Sequence, residues 1–149
     1  MDQSVLHREA FVITGNDFEH GGQAAAAVKA IMRELGVDPA VIRRLSIANF
    51  EAEMNVIMYA DRADLEFVVL ADEVRVTLAD RGPGIPDIEQ AMQEGYSTAT
   101  ADMRARGFGA GMGLPNIKRS TDWFRIESTP GRGTTLRYGV FLNGRGGSR

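Results

Sequence analysis

The sequence predicts an α+β fold, in which a mostly antiparallel, mixed sheet carries its helices on one face. A strand-like segment near the N-terminus is followed by two long segments rich in helix-forming residues. Short β-rich segments then come in two neighbouring pairs, which is typical of hairpins. Because hairpin strands pair antiparallel and each helix must bury an apolar face, we expect a two-layer sandwich.

Composition limits the classes to which the protein can belong. The chain has 149 residues, of which 44% are hydrophobic, and this predicts one globular domain over 1–142 with a flexible, glycine-rich tail over 143–149. Cysteine is absent, which excludes disulfides and thiolate metal sites. A net charge of -3 argues against nucleic-acid binding. With neither a signal-peptide pattern nor a long apolar run, the expected location is the cytoplasm, away from membranes.

The first half of the chain is predicted to form one strand and two helices. The strand covers 5–14, where apolar and polar residues are mixed as in an opening strand. Gln23 begins a run of strong helix formers that stops before Gly36, a residue type that commonly follows a helix. Asp38 and Pro39 then provide the N-cap and the first-turn proline of a second helix of roughly six turns.

Two hairpins are predicted in the rest of the chain. The first joins 65–70 to 74–78, and the alternating apolar residues of its second strand indicate that one face is buried. The second joins 123–128 to 134–142 through the turn sequence Pro-Gly-Arg-Gly. Adjacent strands of this kind give the sheet its antiparallel character.

The segment 80–113, between the hairpins, is predicted to be mostly irregular. It contains a short helical stretch near 88–93 and leads into a helix over 114–120. Long irregular segments inside a compact unit are usually functional. We therefore expect a lid over a bound ligand.

Two polar residues of the second helix are candidates for a shared site. Glu51 and Asn55 are four residues apart, so they lie on the same helix face, one turn from each other. Both side chains could reach into one pocket. The alternative is a polar helix face that carries these residues by chance.

An acidic residue with two glycines follows the strand predicted before position 80. Asp80 can accept a hydrogen bond from an exocyclic amine such as that of adenine. Gly82 and Gly84 permit close backbone approach to a ligand. The alternative is an ordinary tight turn.

Four glycines at alternate positions precede the helix predicted over 114–120. These are Gly107, Gly109, Gly111 and Gly113. Backbone amides at a helix N-terminus favour phosphate, so this loop is a candidate phosphate-binding element. It is neither a Walker A loop nor a dinucleotide-binding fingerprint. The alternative is a flexible hinge.

Thr134 follows the glycines of the turn in the second hairpin. Its hydroxyl could contact a bound base or an ordered water molecule. The alternative is a plain hairpin turn with no contact to a ligand.

Taken in order, these patterns resemble the N, G1, G2 and G3 boxes of the GHKL ATPase and kinase superfamily. The match consists of Glu51-x-x-x-Asn55, then Asp80-x-Gly82-x-Gly84, then 107–113, then Gly131-x-Gly133-Thr134, within about 45–142. The segment 88–98 and the phrase Gly-Leu-Pro-Asn-Ile-Lys-Arg from position 113 further resemble the anti-sigma serine kinases and the stressosome switch kinases.

The resemblance implies a Bergerat-type sandwich that binds ATP and Mg²⁺ and phosphorylates a serine or threonine of a STAS-domain partner. Such a partner is an anti-anti-sigma protein or a stressosome scaffold protein. A sigma factor, a phosphatase or a second copy of the chain remain open as further partners. The alternative is a nonenzymatic, ATP-gated binding module that sequesters a sigma factor or activates a phosphatase.

The resemblance also implies a role for each matched residue. Asn55 corresponds to the Mg²⁺ ligand, Glu51 to the carboxylate that orients or deprotonates the attacking hydroxyl, and Asp80 to the residue that reads adenine. Gly82 and Gly84 correspond to residues that shape the base pocket, and Thr134 to a residue near the base. The phosphate lid corresponds to Gly107, Gly109, Gly111 and Gly113.

Two features lie outside the matched pattern. Arg104 and Arg106 precede the glycine-rich loop and are candidates for a cation near the phosphates, or else solvated charges. Related kinases often have a small residue directly before the Asn, whereas this chain has Glu53 and Met54 there. We expect Glu53 to point away from Glu51.

Overall fold

The computed structural model describes residues 4–85, 87–93 and 113–142. Strands β1 to β5 span Val5–Thr14, Arg62–Leu70, Glu73–Arg81, Trp123–Thr129 and Gly133–Phe141. Helices α1 to α4 span Gln23–Glu34, Pro39–Tyr59, Ile88–Ala91 and Gly113–Ser120, and a 3-10 turn spans Phe18–His20. The predicted order of elements is confirmed. The 3-10 turn was not predicted, and the strands of the first hairpin are longer than expected.

The five strands form one sheet in the order β1-β2-β3-β5-β4. All four pairings between these strands are antiparallel. This confirms the α+β sandwich, and the described sheet is entirely antiparallel, whereas a mostly antiparallel, mixed sheet was predicted. The pairing of Arg62 with Arg81 extends the first hairpin beyond its apolar part. As a result, Asp80 lies at the end of a paired strand, opposite Ala63.

The ends of α1 and α2 are set by the residues that the sequence indicated. Gly36 follows α1 with a φ of 74°, a left-handed conformation that glycine adopts without a steric penalty. The side chain of Asp38 accepts a hydrogen bond of 2.8 Å from the backbone N–H of Ala40, and Pro39 occupies the first position of α2.

The core lies between the helices and one face of the sheet. Alternate strand residues, such as Leu65, Phe67, Val76 and Leu78, are fully or almost fully buried, whereas Glu66 between them faces solvent. They pack against apolar residues of α1 and α2, including Val28, Met32, Leu45, Ala48 and Ala52. Full burial of one large apolar side chain stabilises the fold by about 1.5–3 kcal/mol.

An arginine of α2 ties this helix to the C-terminal end of α4. Arg44 donates through Nε to the carbonyl oxygen of Ser120 at 3.0 Å and through Nη2 to Oδ1 of Asp122 at 2.9 Å. The other oxygen of Asp122 accepts from the backbone N–H of Phe141 at 2.7 Å. The orientation of α4 relative to α2 and β5 is therefore set at the end of α4 that lies away from Gly113.

Several predictions fall on residues that the structure does not describe. They concern Gly107, Gly109, Gly111, Arg104, Arg106 and the tail over 143–149. The predicted lid over 80–113 is therefore described only at its two ends. Within the described residues, no helix is both long enough and apolar enough to cross a lipid bilayer.

Candidate nucleotide-binding site

The N-terminal end of α4 lies against the face of α2 that carries Glu51 and Asn55. A Cβ atom placed on Gly113 would lie 3.1 Å from Oδ1 of Asn55. Because 3.1 Å is a tight contact, a side chain at this position would press on the Asn55 amide. The structure therefore brings together two of the predicted site residues, Asn55 and Gly113, across 58 positions of sequence, the difference between their residue numbers.

Glu51 is held by a residue that the sequence analysis did not single out. Nδ2 of Asn116 donates to Oε2 of Glu51 at 3.1 Å. Oδ1 of Asn116 in turn accepts from Nη2 of Arg119 at 2.7 Å, one helical turn further along α4. The Glu51 carboxylate is thus oriented by the first turn of the helix that follows the glycine-rich loop. The sequence signals for Asn116 were its place shortly after that loop and its inclusion in the phrase Gly-Leu-Pro-Asn-Ile-Lys-Arg.

Asp80 lies at the C-terminal end of β3, where its carboxylate is half-buried. Oδ1 accepts a hydrogen bond of 2.9 Å from the backbone N–H of Thr134 on β5. Burial raises the pKa of the Asp80 carboxyl above its ordinary value, and the hydrogen bond from Thr134 acts in the opposite direction. The interaction with Thr134 uses one oxygen and fixes the direction of the other, which suits the recognition of an amine.

Gly84 allows close contact between the loop after β3 and the turn of the second hairpin. Its φ is 76°, and a Cβ atom there would lie 2.5 Å from the carbonyl oxygen of Thr129. The backbone N–H of Gly131 donates to the carbonyl oxygen of Pro83 at 2.7 Å. Gly82 is similarly constrained, since a Cβ atom on it would meet Ala60 at 3.0 Å. The two loops therefore form one backbone frame beside Asp80.

Gly133 and Thr134 complete this frame from the β5 side. A Cβ atom on Gly133 would lie 2.1 Å from the carbonyl oxygen of Asp80, so only glycine fits. The buried hydroxyl of Thr134 lies 2.8 Å from that of Ser128, which also accepts from the backbone N–H of Ile85 at 2.7 Å. Ser128 is a further residue that the sequence analysis missed. Both hydroxyls support the loop after β3.

Glu53 is oriented away from this site, as predicted. Its buried carboxylate accepts hydrogen bonds from the backbone N–H groups of Gly22, Ala24 and Ala25, at 3.1, 3.2 and 2.9 Å. These groups belong to the first turn of α1, whose N-cap residue Gly22 has no side chain to cap it. The residue that departs from the pattern of related kinases therefore caps α1.

The donor atoms present at the site fit Mg-ATP. Asn55 offers a side-chain oxygen, and Mg²⁺ is commonly held by one or two protein oxygens together with phosphate oxygens and water. Among residues 4–85, 87–93 and 113–142, no three His, Cys, Asp or Glu side chains form a metal-binding group.

Curated proteins of two kinds resemble the chain. The serine/threonine-protein kinase RsbT of Bacillus subtilis is 32% identical over 111 residues, which cover 72% of this chain and 77% of that protein. An anti-sigma F factor of Caldanaerobacter subterraneus is 31% identical over 126 residues, which cover 80% of this chain and 83% of that protein.

Solved structures share the fold at low sequence identity. The catalytic domain of the histidine kinase ThkA has a TM-score of 0.54 and 14% identity, with 92% of this chain and 97% of that chain covered. A chain of the SiaB–SiaC complex from Pseudomonas aeruginosa has a TM-score of 0.55 and 12% identity, with 93% and 91% covered. Both likenesses concern the fold alone.

A family model described as the histidine kinase-like ATPase domain matches residues 15–139, which include every predicted site residue. The match agrees with the resemblance to GHKL proteins that the motifs indicated. The chain therefore belongs to the histidine kinase-like ATPase domain family.

Proposed function

We propose that the protein is a serine/threonine kinase of the partner-switching type, which transfers phosphate from ATP to a small STAS-domain protein in the cytoplasm. The contact between α2 and α4 carries this proposal. Glu51 and Asn55 lie one turn apart on α2. In this contact Asn116 of α4 donates to the carboxylate of Glu51, and Gly113 lies against the amide of Asn55. A base and a metal ligand side by side suit phosphoryl transfer to a hydroxyl. A relative of the chain is named a serine/threonine-protein kinase.

Nucleotide recognition is assigned to the frame beside Asp80. Membership of an ATPase-domain family implies that ATP is used. The second carboxylate oxygen of Asp80, which Thr134 does not contact, can accept a hydrogen bond from the adenine amine. Guanine carries a carbonyl at the equivalent position and cannot donate there. Gly82 and Gly84 leave room for the base, and Thr134 holds Asp80 through its backbone N–H. The glycines from Gly107 to Gly113 are assigned to the phosphates because they lead directly into the N-terminus of α4, where backbone N–H groups favour phosphate.

The chemical step is assigned to the residues of α2. Mg-ATP, when bound, supplies the γ-phosphoryl group and a cation that offsets its negative charge. Asn55 would hold that cation through Oδ1. Glu51 would accept the proton that the acceptor hydroxyl loses as its oxygen bonds to phosphorus, while the bond to ADP breaks. Positioning of the carboxylate by Asn116 suits this role.

Sequestration of a sigma factor is a second candidate function. Several relatives are named anti-sigma F factors, and one of them is 31% identical over 80% of this chain. In that case ATP would control binding and no phosphate would be transferred. Both candidates use the same nucleotide site, so they differ only in what happens after ATP binds.

Transfer assays distinguish the two candidates. The protein is incubated with labelled ATP and with each small STAS-domain protein of its own genome. We expect label on one of them. Glu51→Ala should keep ATP affinity and lose about 10²- to 10⁴-fold in transfer rate, because a general base acts on the acceptor. Asn55→Ala should lose both transfer and the magnesium dependence of ATP binding.

A matched control is Glu66→Ala, which removes an exposed carboxylate from the opposite face of the sheet. It should change neither property. Normal transfer by Glu51→Ala would contradict the assignment of the base. If ATP binds, no STAS-domain protein is labelled and a sigma factor is retained, sequestration is the function instead.

A further inference from the structure

A groove of about 690 Å³ lies between α1 and α2 and extends to Glu51. Residues from one side of α1 and from a stripe of α2 line it. The side chains that matter for its chemistry are Lys29, Arg33, Arg43, Ile47, Phe50 and Glu51. The residue on which the proposed transfer depends is therefore reached along an open surface.

The floor of the groove exposes large apolar side chains. Ile47 is 44% exposed and Phe50 is 42% exposed, although both belong to a helix whose other faces are packed. They lie three residues apart on α2, so they share one face. An apolar patch with a polar border is typical of a protein-binding surface.

The border of the groove is basic, although the whole chain has a net charge of -3. Lys29 and Arg33 lie one turn apart on α1, and Arg43 faces them from α2. In the part of the chain that the structure describes, none of these three has an ion-pair partner. Glu51 is the one acidic residue of the lining, at the groove's end. Such a concentration of positive charge favours an acidic partner.

We propose that this groove docks an acidic segment of the substrate protein and delivers its hydroxyl to Glu51. Apolar side chains of the segment pack on Ile47 and Phe50, and its carboxylates face Lys29, Arg33 and Arg43. The proposal rests on the function proposed above, because it takes Glu51 as the end point of docking. It adds a surface that selects the partner by charge.

Charge reversal tests the proposal without changing the residues of the nucleotide site. The variants are Arg33→Glu, Arg43→Glu and the double variant, and binding to purified STAS-domain proteins of the same genome is measured with Mg-ATP present. For the STAS-domain protein that binds, we expect affinity to fall about tenfold or more in each single variant and further in the double variant, most strongly at low salt. Affinity for ATP should stay unchanged.

The control is Arg8→Glu, the same charge change on the sheet face that lies away from the helices. It should leave affinity for the STAS-domain protein unchanged. A reciprocal change, in which acidic residues of the bound STAS-domain protein are replaced by lysine, should restore binding to the double variant. Equal losses in Arg8→Glu and the groove variants, or no loss in either, would overturn the proposal.

Further outcomes separate this proposal from its alternatives. Loss of ATP affinity in Arg33→Glu or Arg43→Glu would instead indicate that the groove binds the phosphates of ATP. A change in the sedimentation of the protein alone would assign the groove to a second copy of the chain. Binding through the groove without phosphate transfer would support the docking surface and refute the kinase. If no STAS-domain protein binds, both proposals fail.

Discussion

At the scale of single residues, the site depends on side chains whose neighbours change their chemistry. Asp80 is the clearest case, because its half-buried position raises the pKa of the carboxyl while Thr134 donates to the same group. Buried polar pairs show the same dependence. Asn49 and Tyr138 are both fully buried, and their 2.6 Å hydrogen bond compensates for the removal of the Tyr138 hydroxyl and of Oδ1 of Asn49 from water.

ATP affinity should depend on pH through Asp80. Because the pKa of Asp80 is raised, the carboxylate to which we assign adenine recognition is lost at a higher pH than that of an ordinary Asp. Asp80→Asn should bind ATP at least about tenfold more weakly, because losing a hydrogen bond to a charged group costs roughly 1.5–3 kcal/mol. Calorimetric titration with ATP from pH 4.5 to 8 tests this, with the exposed Asp64→Asn as control. An unchanged pH profile in Asp80→Asn would contradict it.

The Asp80 carboxyl should also make folding stability depend on pH. Its contribution to stability should decrease as pH rises, whereas ATP affinity should increase. The folded protein binds the Asp80 proton more tightly than the unfolded chain does. Its contribution is therefore present at low pH and is lost as pH rises from the ordinary carboxyl range through the raised pKa. Over this window, the unfolding free energy of wild type minus that of Asp80→Asn should decrease, as measured in urea without nucleotide. An increase would have the wrong sign.

Asn116 should act as a positioning residue for Glu51. Asn116→Ala removes the donor at 3.1 Å and should lower phosphate transfer about tenfold to a hundredfold, because small errors of orientation are costly in catalysis. ATP affinity and the urea midpoint should stay close to wild type, a separation that a general loss of structure would not produce. The control is Lys118→Ala on the exposed side of the same helix. Equal losses in both variants would argue against positioning.

Tyr138→Phe should destabilise the fold by about 1–3 kcal/mol, because Asn49 then keeps a buried carbonyl without a donor. Burial raises the pKa of the Tyr138 hydroxyl, and the charge of Glu53 adds to this effect, so Tyr138 remains a donor. The double variant with Asn49→Leu removes both polar groups and should recover part of the loss. Urea unfolding measures all three proteins. No recovery in the double variant would show that packing dominates.

At the scale of elements, α2 connects most of the molecule. One face packs in the core, Arg44 holds the end of α4, and Glu53 caps the start of α1. The N-terminus of α1 carries partial positive charge, which a carboxylate stabilises. The helix that bears Glu51 and Asn55 is therefore held from two sides by its own polar residues.

Glu53→Ala should destabilise the fold by about 3 kcal/mol, because three backbone N–H groups, of which those of Ala24 and Ala25 are buried, lose a charged acceptor. Glu53→Gln, which keeps one acceptor oxygen, should lose less. Amide exchange of residues 22–25 should accelerate in both variants. The control is Glu34→Ala, at the exposed opposite end of α1. Exchange that accelerates equally along all of α1 would contradict a capping role.

At the scale of the whole molecule, the candidate site exists only in the folded chain. Its residues come from α2, β3, β5 and α4, and three of the four sheet pairings join strands that are neighbours in sequence. The exception is β3 with β5, which brings Asp80 beside Thr134. Ligand binding at such a site must stabilise the folded state as a whole.

Mg-ATP should therefore raise the unfolding free energy by about 2.7 kcal/mol at a concentration one hundred times its dissociation constant. GTP at the same concentration should produce a smaller shift, and Asp80→Asn should reduce the difference between the two nucleotides. Thermal unfolding with each nucleotide measures this. Equal shifts with ATP and GTP would contradict the assignment of Asp80 to adenine.

The sequence by itself determined the type and order of the main helices and strands and the order of the motifs. Asp38 and Gly36 marked helix ends, and Glu51, Asp80 and the glycines predicted a candidate site, because each of these signals depends on spacing along the chain. The tertiary structure alone decided which partners these residues have. Asn116 reaches Glu51 across 65 positions, and Glu53 reaches Ala24 across 29. The groove beside Arg33 also exists only once α1 packs on α2. Helix and turn signals are local, whereas these contacts arise from the packing of distant segments, which no spacing along the chain encodes.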